Sequence, residues 1–127
     1  MDQELQELAG KLFDFARTGQ TAQLAQYLDH GVPVDLANQN GDTFVMLAAY
    51  KGHAETVAML AARGADVNKL NDRGQSPLAG AIFKKEEAVI EALIEAGASP
   101  TAGTPSAVDT ATLFGQSELA ARLSQLA

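Results

Sequence analysis

One spacing constrains this chain more than any other feature: similar residues recur every 33 positions. Residues 41–53 read GDTFVMLAAYKGH. A step of 33 forward from this stretch and the residues after it carries Gly41 to Gly74, Thr43 to Ser76, Ala48 to Ala81, Val57 to Ile90, Leu60 to Leu93, Gly64 to Gly97 and Ala65 to Ala98. The same step back carries Gly52 to Gly19, Val57 to Leu24, Leu60 to Tyr27, Gly64 to Gly31 and Val67 to Val34. The register runs without a gap over residues 12–98. A fourth copy, ATLFGQSELAARL at 111–123, matches AAYKGHAETVAML at 48–60 with a spacing of 63, three short of two periods. The loop between Gly97 and Ser106 is therefore shortened. A period of this size means stacked units that share one continuous core.

The content of the period resembles the ankyrin repeat, whose pattern is roughly G-x-T-P-L-H-x-A-A-x-x-G-H, an outer helix, then G-A-D-V-N. Residues 41–68 match it at Gly41, Thr43, Leu47, Ala48, Ala49, Gly52, His53, Gly64, Ala65, Asp66, Val67 and Asn68. Residues 74–98 match at Gly74, Ser76, Pro77, Leu78, Ala81, Gly97 and Ala98. Phe44, Val45 and Met46 stand where the pattern has Pro-Leu-His, Ala79 replaces the usual His, and Lys85-Glu86 replaces Gly-His. The resemblance implies an all-α solenoid of four stacked helix–turn–helix units linked by β-hairpin-like finger loops. The copies fall approximately at 1–34 (an N-terminal cap), 35–67, 68–100 and 101–127 (a C-terminal cap), in one domain spanning 1–127.

Local chemistry agrees with that unit. The hydroxyl of Thr43 can cap the free amides of a first helix. Ser76-Pro77 is a clearer start, a capping serine followed by proline at the first helical position. Ala48, Ala49 and Ala81 are small enough for neighbouring helices to approach closely. Gly52 supplies the left-handed residue that ends the first helix. AETVAMLAARG then presents Val57, Leu60 and Ala61 at helical spacing until Gly64 stops it. ADVNKLNDRGQ is rich in Asn, Asp and Gly and turns back on itself; in the ankyrin family this is the projecting finger. The polar extension DQELQEL is expected to precede the first helix, and Arg122, Ser124 and Gln125 give the last one a polar outer face.

Composition narrows the function. The 127 residues are 46% apolar, enough for a core and too apolar for disorder. A net charge of −7 argues against a nucleic-acid partner and is compatible with a monomer kept apart by self-repulsion. The chain has no cysteine, which excludes disulfides, thiolate zinc sites and cysteine nucleophiles. The N-terminus MDQELQELAG lacks the basic start and apolar stretch of a secretion signal, and no apolar run suggests a membrane span. The expectation is a cytoplasmic protein with no membrane association and no cofactor.

Chemical sites are sparse. His53 and Glu55 form H-A-E, as in zinc deaminases, but that chemistry needs cysteine ligands. The simpler reading is a histidine that bonds backbone between repeats. NQNGDT at 38–43 has some calcium-loop character, but Leu36 and Leu47 stand where ligands belong, which favours a turn. His30 precedes Gly31 at the end of an outer helix, where a cation suits the helix dipole. No G-x-S-x-G, Walker or dinucleotide glycine pattern occurs.

Residues that the repeat does not need are the candidates for contact. In ankyrin repeats, partners are held by finger tips and by the two variable positions before the Gly-His. Here the resemblance points to Arg17, Tyr50, Lys51, Phe83, Lys84 and Phe114 on the inner helices, with Asn40, Asp42, Arg73 and Gln75 on the fingers. Tyr50, Phe83 and Phe114 lie nearly in line, and Arg17, Lys51 and Lys84 form a parallel basic line. Glu55, Glu86, Glu87, Glu91, Glu95 and Glu118 fall on second helices, the convex side. The reading that follows is a non-enzymatic module that binds another protein, one with an acidic surface and an apolar centre, through its concave face. One alternative is a small metal-dependent enzyme or regulator built on His53, Glu55 and Asp42. The other is a structural companion that docks end-on. A purely packing role for Tyr50 and Phe83 is equally open at this point, since stacked aromatics often pack on each other.

Overall fold

The computed structural model describes residues 3–127. Among them are eight helices: α1 (Gln3–Thr18), α2 (Thr21–Asp29), α3 (Phe44–Tyr50), α4 (Ala54–Ala62), α5 (Pro77–Phe83), α6 (Glu87–Glu95), α7 (Ala107–Leu113) and α8 (Ser117–Leu126). Hydroxyl caps fix where the inner helices begin. Thr43 Oγ1 accepts from the Met46 amide at 3.2 Å, Ser76 Oγ from Ala79 at 3.1 Å and Ser106 Oγ from Asp109 at 3.1 Å. Pro77 occupies the first turn of α5, where no amide hydrogen is needed. The first two caps are those expected from the sequence.

Helices α3, α5 and α7 have only seven residues each, too few to persist alone in water. Packing holds them. The inner helices α1, α3, α5 and α7 stack side by side, and α2, α4 and α6 line up behind them. Ala16, Ala48, Ala49, Ala81 and Ala111 are all fully buried along the seam between inner helices. Behind the seam, Leu24, Val57, Leu60, Val89, Leu93 and Leu123 join Leu12, Phe44, Val45, Leu78 and Ile82 in a single apolar cluster. It runs from the first helix pair to the last, as a core shared between units must.

Two salt bridges tie neighbouring outer helices. Arg63 forks onto Asp29 at 3.0 and 3.2 Å, and Arg122 onto Glu91 at 2.6 and 2.8 Å. Both pairs are bidentate, the geometry that suits guanidinium and carboxylate best. Helix α8 leans mainly on α7, so the Arg122 fork is its chief polar tie to α6.

The fingers are built on asparagine. Asn38 Oδ1 accepts from the amides of Asn40 and Asp42 at 2.9 and 3.0 Å. Asn71 Oδ1 does the same for Arg73 and Gln75, both at 3.0 Å. Each loop is closed by two further bonds: the Asn38 amide donates to the Asp42 carbonyl and Gly41 to Asn38, and the Asn71 amide donates to the Gln75 carbonyl and Gly74 to Asn71. The fingers are hairpin-like in this sense. Among the described residues the only ladder contact is the Ala37–Thr43 bridge, because the tight asparagine turn leaves no room for paired strands. Successive fingers are linked by Asp72 N to Asn40 O and Thr104 N to Gly74 O, each at 3.0 Å.

Three details differ from expectation. The polar extension does not precede the first helix but is part of it: α1 is already helical at Gln3, because Gln, Glu, Leu and Ala are good helix formers. Met1 and Asp2 lie outside the described residues. Glu86 is not on the convex side. It sits at the N-cap of α6, half-buried, with its carboxylate against Gly52 of the preceding unit. Lys85 takes the place held elsewhere by Gly19, Gly52 and Gly115, with a positive φ of 58°. The unit's turn requires the left-handed conformation there, and a lysine adopts it at a steric cost.

Two predictions follow from this geometry. Lys85→Gly removes the Cβ clash, and the unfolding free energy should rise by about 1 kcal/mol, read from urea midpoints; a lower midpoint would contradict the strained turn. The Arg63 and Arg122 guanidiniums hydrogen-bond Asp29 and Glu91 and hold both carboxyls below their usual range. The folded state therefore releases these protons more readily than the unfolded one. The resulting stability is present above the ordinary carboxyl range and fades as pH falls through and below it. Urea melts of the Arg63→Ala/Arg122→Ala double variant should show a shallower acid-side loss than wild type, and parallel curves would remove the two forks as the cause.

Candidate functional site

The concave side of the stack carries a trough between α3, α5 and α7. Its inner compartment, about 280 Å³, is lined by Met46, Tyr50, Gln75, Ala79, Gly80, Phe83, Pro105, Thr110, Leu113 and Phe114. A second compartment, about 350 Å³, continues towards the fingers and adds Asp42, Leu47, Lys51, Asn71 and Arg73. The two share Met46, Tyr50, Gln75 and Phe83, so they form one continuous depression.

Its apolar groups are unusually open to water. Tyr50 is 38% exposed, Phe83 56%, Phe114 51% and Leu113 73%. Among the described residues these are most of the large apolar side chains left exposed, and they converge on one face. An apolar cluster of this kind costs free energy in water. The aromatic side chains do pack on their neighbours. Phe83 and Phe114 meet edge-on with centroids 5.5 Å apart. The Lys84 ammonium lies 5.0 Å from the centre of the Tyr50 ring. Packing and exposure therefore coexist: the rings contact their neighbours and still keep more than a third of their surface open to water.

Repeat register corrects the two parallel lines read from the sequence. Phe114 is the C-cap of α7, as Lys51 is of α3 and Lys84 of α5. The residue in line with Tyr50 and Phe83 is thus Leu113, and Phe114 reaches the trough from the lysine row. Arg17 belongs to the row of Tyr50 and Phe83, not to the lysine row. Its guanidinium pairs with Asp14 at 2.8 Å on its own helix, and it does not line either compartment. Asn40 also stays outside the trough; its carbonyl accepts the Asp72 amide at the finger edge. The remaining sequence candidates, Asp42, Tyr50, Lys51, Arg73, Gln75, Phe83 and Phe114, all line it, with Lys84 at its rim over Tyr50.

Met46, Leu47, Asn71, Ala79, Gly80, Pro105, Thr110 and Leu113 complete the lining, none of them chosen as a contact residue from the sequence. Leu113 could have been found by applying the spacing of the last copy, which sets it opposite Phe83. Gly80 carries no such signal, since what it contributes is missing volume.

The trough's polar groups are uneven in sign. Lys51, Arg73 and Lys84 form no ion pair among the described residues. Asp42 is the one carboxylate in the lining, and it is already engaged: its Oδ1 accepts from Asn71 Nδ2 at 2.9 Å. Asn71 is buried, and its second amide hydrogen goes to Gln75 Oε1 at 2.8 Å. This network locks the finger. Glu55, Glu87, Glu91, Glu95 and Glu118 are exposed on the outer helices, away from the trough.

The groups proposed for metal or acid–base chemistry do not act together. His53, the N-cap of α4, places Nε2 2.8 Å from the Arg17 carbonyl. A carbonyl only accepts, so Nε2 carries the hydrogen and the ring serves as a link between the first and second units. A Cβ on Gly19 would lie 2.5 Å from this imidazole, so the glycine is needed there for space as well as for its φ of 72°. Glu55 is exposed in the first turn of α4, and Asp42 belongs to the finger network. His30 Nδ1 lies 2.7 Å from the Gln26 carbonyl at the end of α2. Among the described residues no group of three or more His, Asp or Glu side chains is placed to hold a metal ion.

Comparison with known proteins gives a consistent result. A family profile described as ankyrin repeats, in three copies, matches residues 12–104. The chain is 48% identical over 59 residues to an ankyrin repeat protein of Pseudomonas aeruginosa, covering 46% of this chain and 34% of that one. It is 44% identical over 62 residues to ankyrin repeat domain-containing protein 29 of Homo sapiens, covering 48% of this chain and 21% of that one. It is 31% identical over 90 residues to the inactive serine/threonine-protein kinase TEX14 of Mus musculus, covering 71% of this chain and 6% of that one. The matched segments thus span about a third or less of the length of these relatives.

Proposed function

This chain belongs to the ankyrin-repeat family, and from that premise we propose that it binds another protein through the trough between α3, α5 and α7 and the finger tips beside it. The family is a non-enzymatic interaction scaffold. The observation that carries the reading is the gathering of Tyr50, Phe83, Leu113 and Phe114, all exposed, on one concave face. Aromatic anchors and cations are the residue types that dominate binding energy at interfaces. The partner surface is apolar at its centre and acidic around it, to meet Lys51, Arg73 and Lys84.

The same reading makes the chain a working unit of four repeats, near 1–34, 35–67, 68–100 and 101–127, acting as a cytoplasmic monomer. Its net charge of −7 opposes self-association. Among the described residues no helix is long and apolar enough to cross a membrane. Cofactor and nucleic acid have no part in this function.

Affinity capture from the native cell with mass spectrometry tests the proposal. Wild type should retain a protein that the Lys51→Glu/Lys84→Glu double variant loses by about tenfold or more, the loss of roughly 1.4 kcal/mol that breaking such contacts produces. A convex-side control, Glu87→Lys, should retain it. Undiminished capture by the double variant, with the helical circular dichroism signal intact, would discard the trough as the contact surface.

A further inference from the structure

Gly80 is the residue in the trough that the fold does not explain. It lies in the middle of α5, in a backbone conformation open to any residue, so no turn requires it. Glycine inside a helix is unfavourable relative to alanine. Packing does not require it either. A Cβ placed there would approach Tyr50 Cδ1 at 3.6 Å and Met46 Sδ at 3.9 Å, both ordinary contacts. The equivalent positions in the neighbouring units carry side chains, Leu47 and Thr110. The one consequence of a glycine at this point is depth: the floor of the inner compartment drops between Tyr50, Phe83 and Leu113.

The hollow is about 280 Å³, at the lower end of small-molecule pockets and suited to one large side chain. Its walls are the rings of Tyr50, Phe83 and Phe114 and the thioether of Met46, groups that pair well with another aromatic ring. Cations flank it, Arg73 from a finger and Lys51 and Lys84 from the C-terminal ends of α3 and α5. We infer that the hollow over Gly80 is an anchor pocket for a single phenylalanine-like side chain, presented by an acidic segment of the partner whose carboxylates meet Lys51, Arg73 and Lys84. This rests on the trough being the binding face and adds which partner chemistry it selects. Gly80 is then the residue that sets specificity, and its depth would be retained at a cost in helix stability.

The probe is a peptide pair, acetyl-Asp-Glu-Asp-Phe-Glu-Asp-Glu-amide and the same peptide with alanine for phenylalanine, titrated into the nitrogen-15-labelled chain. The phenylalanine peptide should shift the amides of Tyr50, Gly80, Phe83 and Leu113 and bind about tenfold or more tightly than the alanine peptide. Gly80→Ala should raise the urea midpoint, which shows that it folds, and should shrink the phenylalanine advantage by partly filling the hollow. Leu113→Ala, which removes an exposed wall, should shrink it too. A peptide with phenylalanine flanked by lysines should bind more weakly than either acidic one. If both acidic peptides shift trough amides with equal affinity, or Gly80→Ala leaves the advantage intact, the anchor pocket is wrong while the trough reading survives. If neither peptide moves a trough amide, both fail. Trough shifts that change on diluting the chain without peptide would assign the pocket to a second copy and overturn the inference.

Discussion

The seam of small side chains between the inner helices is the constraint on which the rest of the molecule depends. Ala16, Ala48, Ala49, Ala81 and Ala111 let short helices come close enough to share one apolar core. A seven-residue helix has no independent stability, so its position is set by its neighbours on both sides. Close stacking also fixes the spacing of whatever those helices display. The trough exists because Tyr50, Phe83 and Leu113 occupy one position in consecutive units held at constant separation. The fingers add a second fixed edge. Their asparagine turns are satisfied internally and linked to each other by backbone hydrogen bonds, so Arg73 and Gln75 are presented from a braced loop.

Charge is sorted by the same geometry. The outer helices carry Asp29, Glu55, Glu87, Glu91, Glu95 and Glu118, two of them forked onto arginines of the next unit. Among the described residues, Lys51, Arg73 and Lys84 at the trough form no salt bridge, and Lys84 lies over the exposed Tyr50 ring. An acidic protein thus presents a basic, apolar hollow. That contrast supports steering of an acidic partner towards the concave side and away from the convex one.

Much of this was legible in the sequence because it depends on spacing. The 33-residue period, the Thr43 and Ser76 caps and the glycine turns are local requirements of each unit, and local requirements leave marks in the sequence. The link made by His53 was legible for the same reason. What was not legible depends on contacts between units or on missing volume. The pairing of Lys84 with Tyr50 crosses from one unit to the next. Phe114 looked like a third member of the aromatic row because the last copy is offset by three residues. Arg17 looked like a binding cation because its helical neighbour Asp14 carries no motif. Glu86 was placed with the convex glutamates because its N-cap position turns its side chain back onto Gly52. Gly80 resembled any weak helix residue until the space above it could be seen.

Native-state hydrogen exchange tests the dependence of each unit on its neighbours most directly. If the helices stand only through their shared core, the slowest amides of α3, α4, α5 and α6 will exchange together, at the free energy of global unfolding measured by urea. Protection will fall towards α8, which belongs to the end unit and has a neighbouring unit on one side only. Separate exchange of α3 and α5, each opening at its own free energy well below the global value, would contradict a core shared across the stack and the trough built upon it.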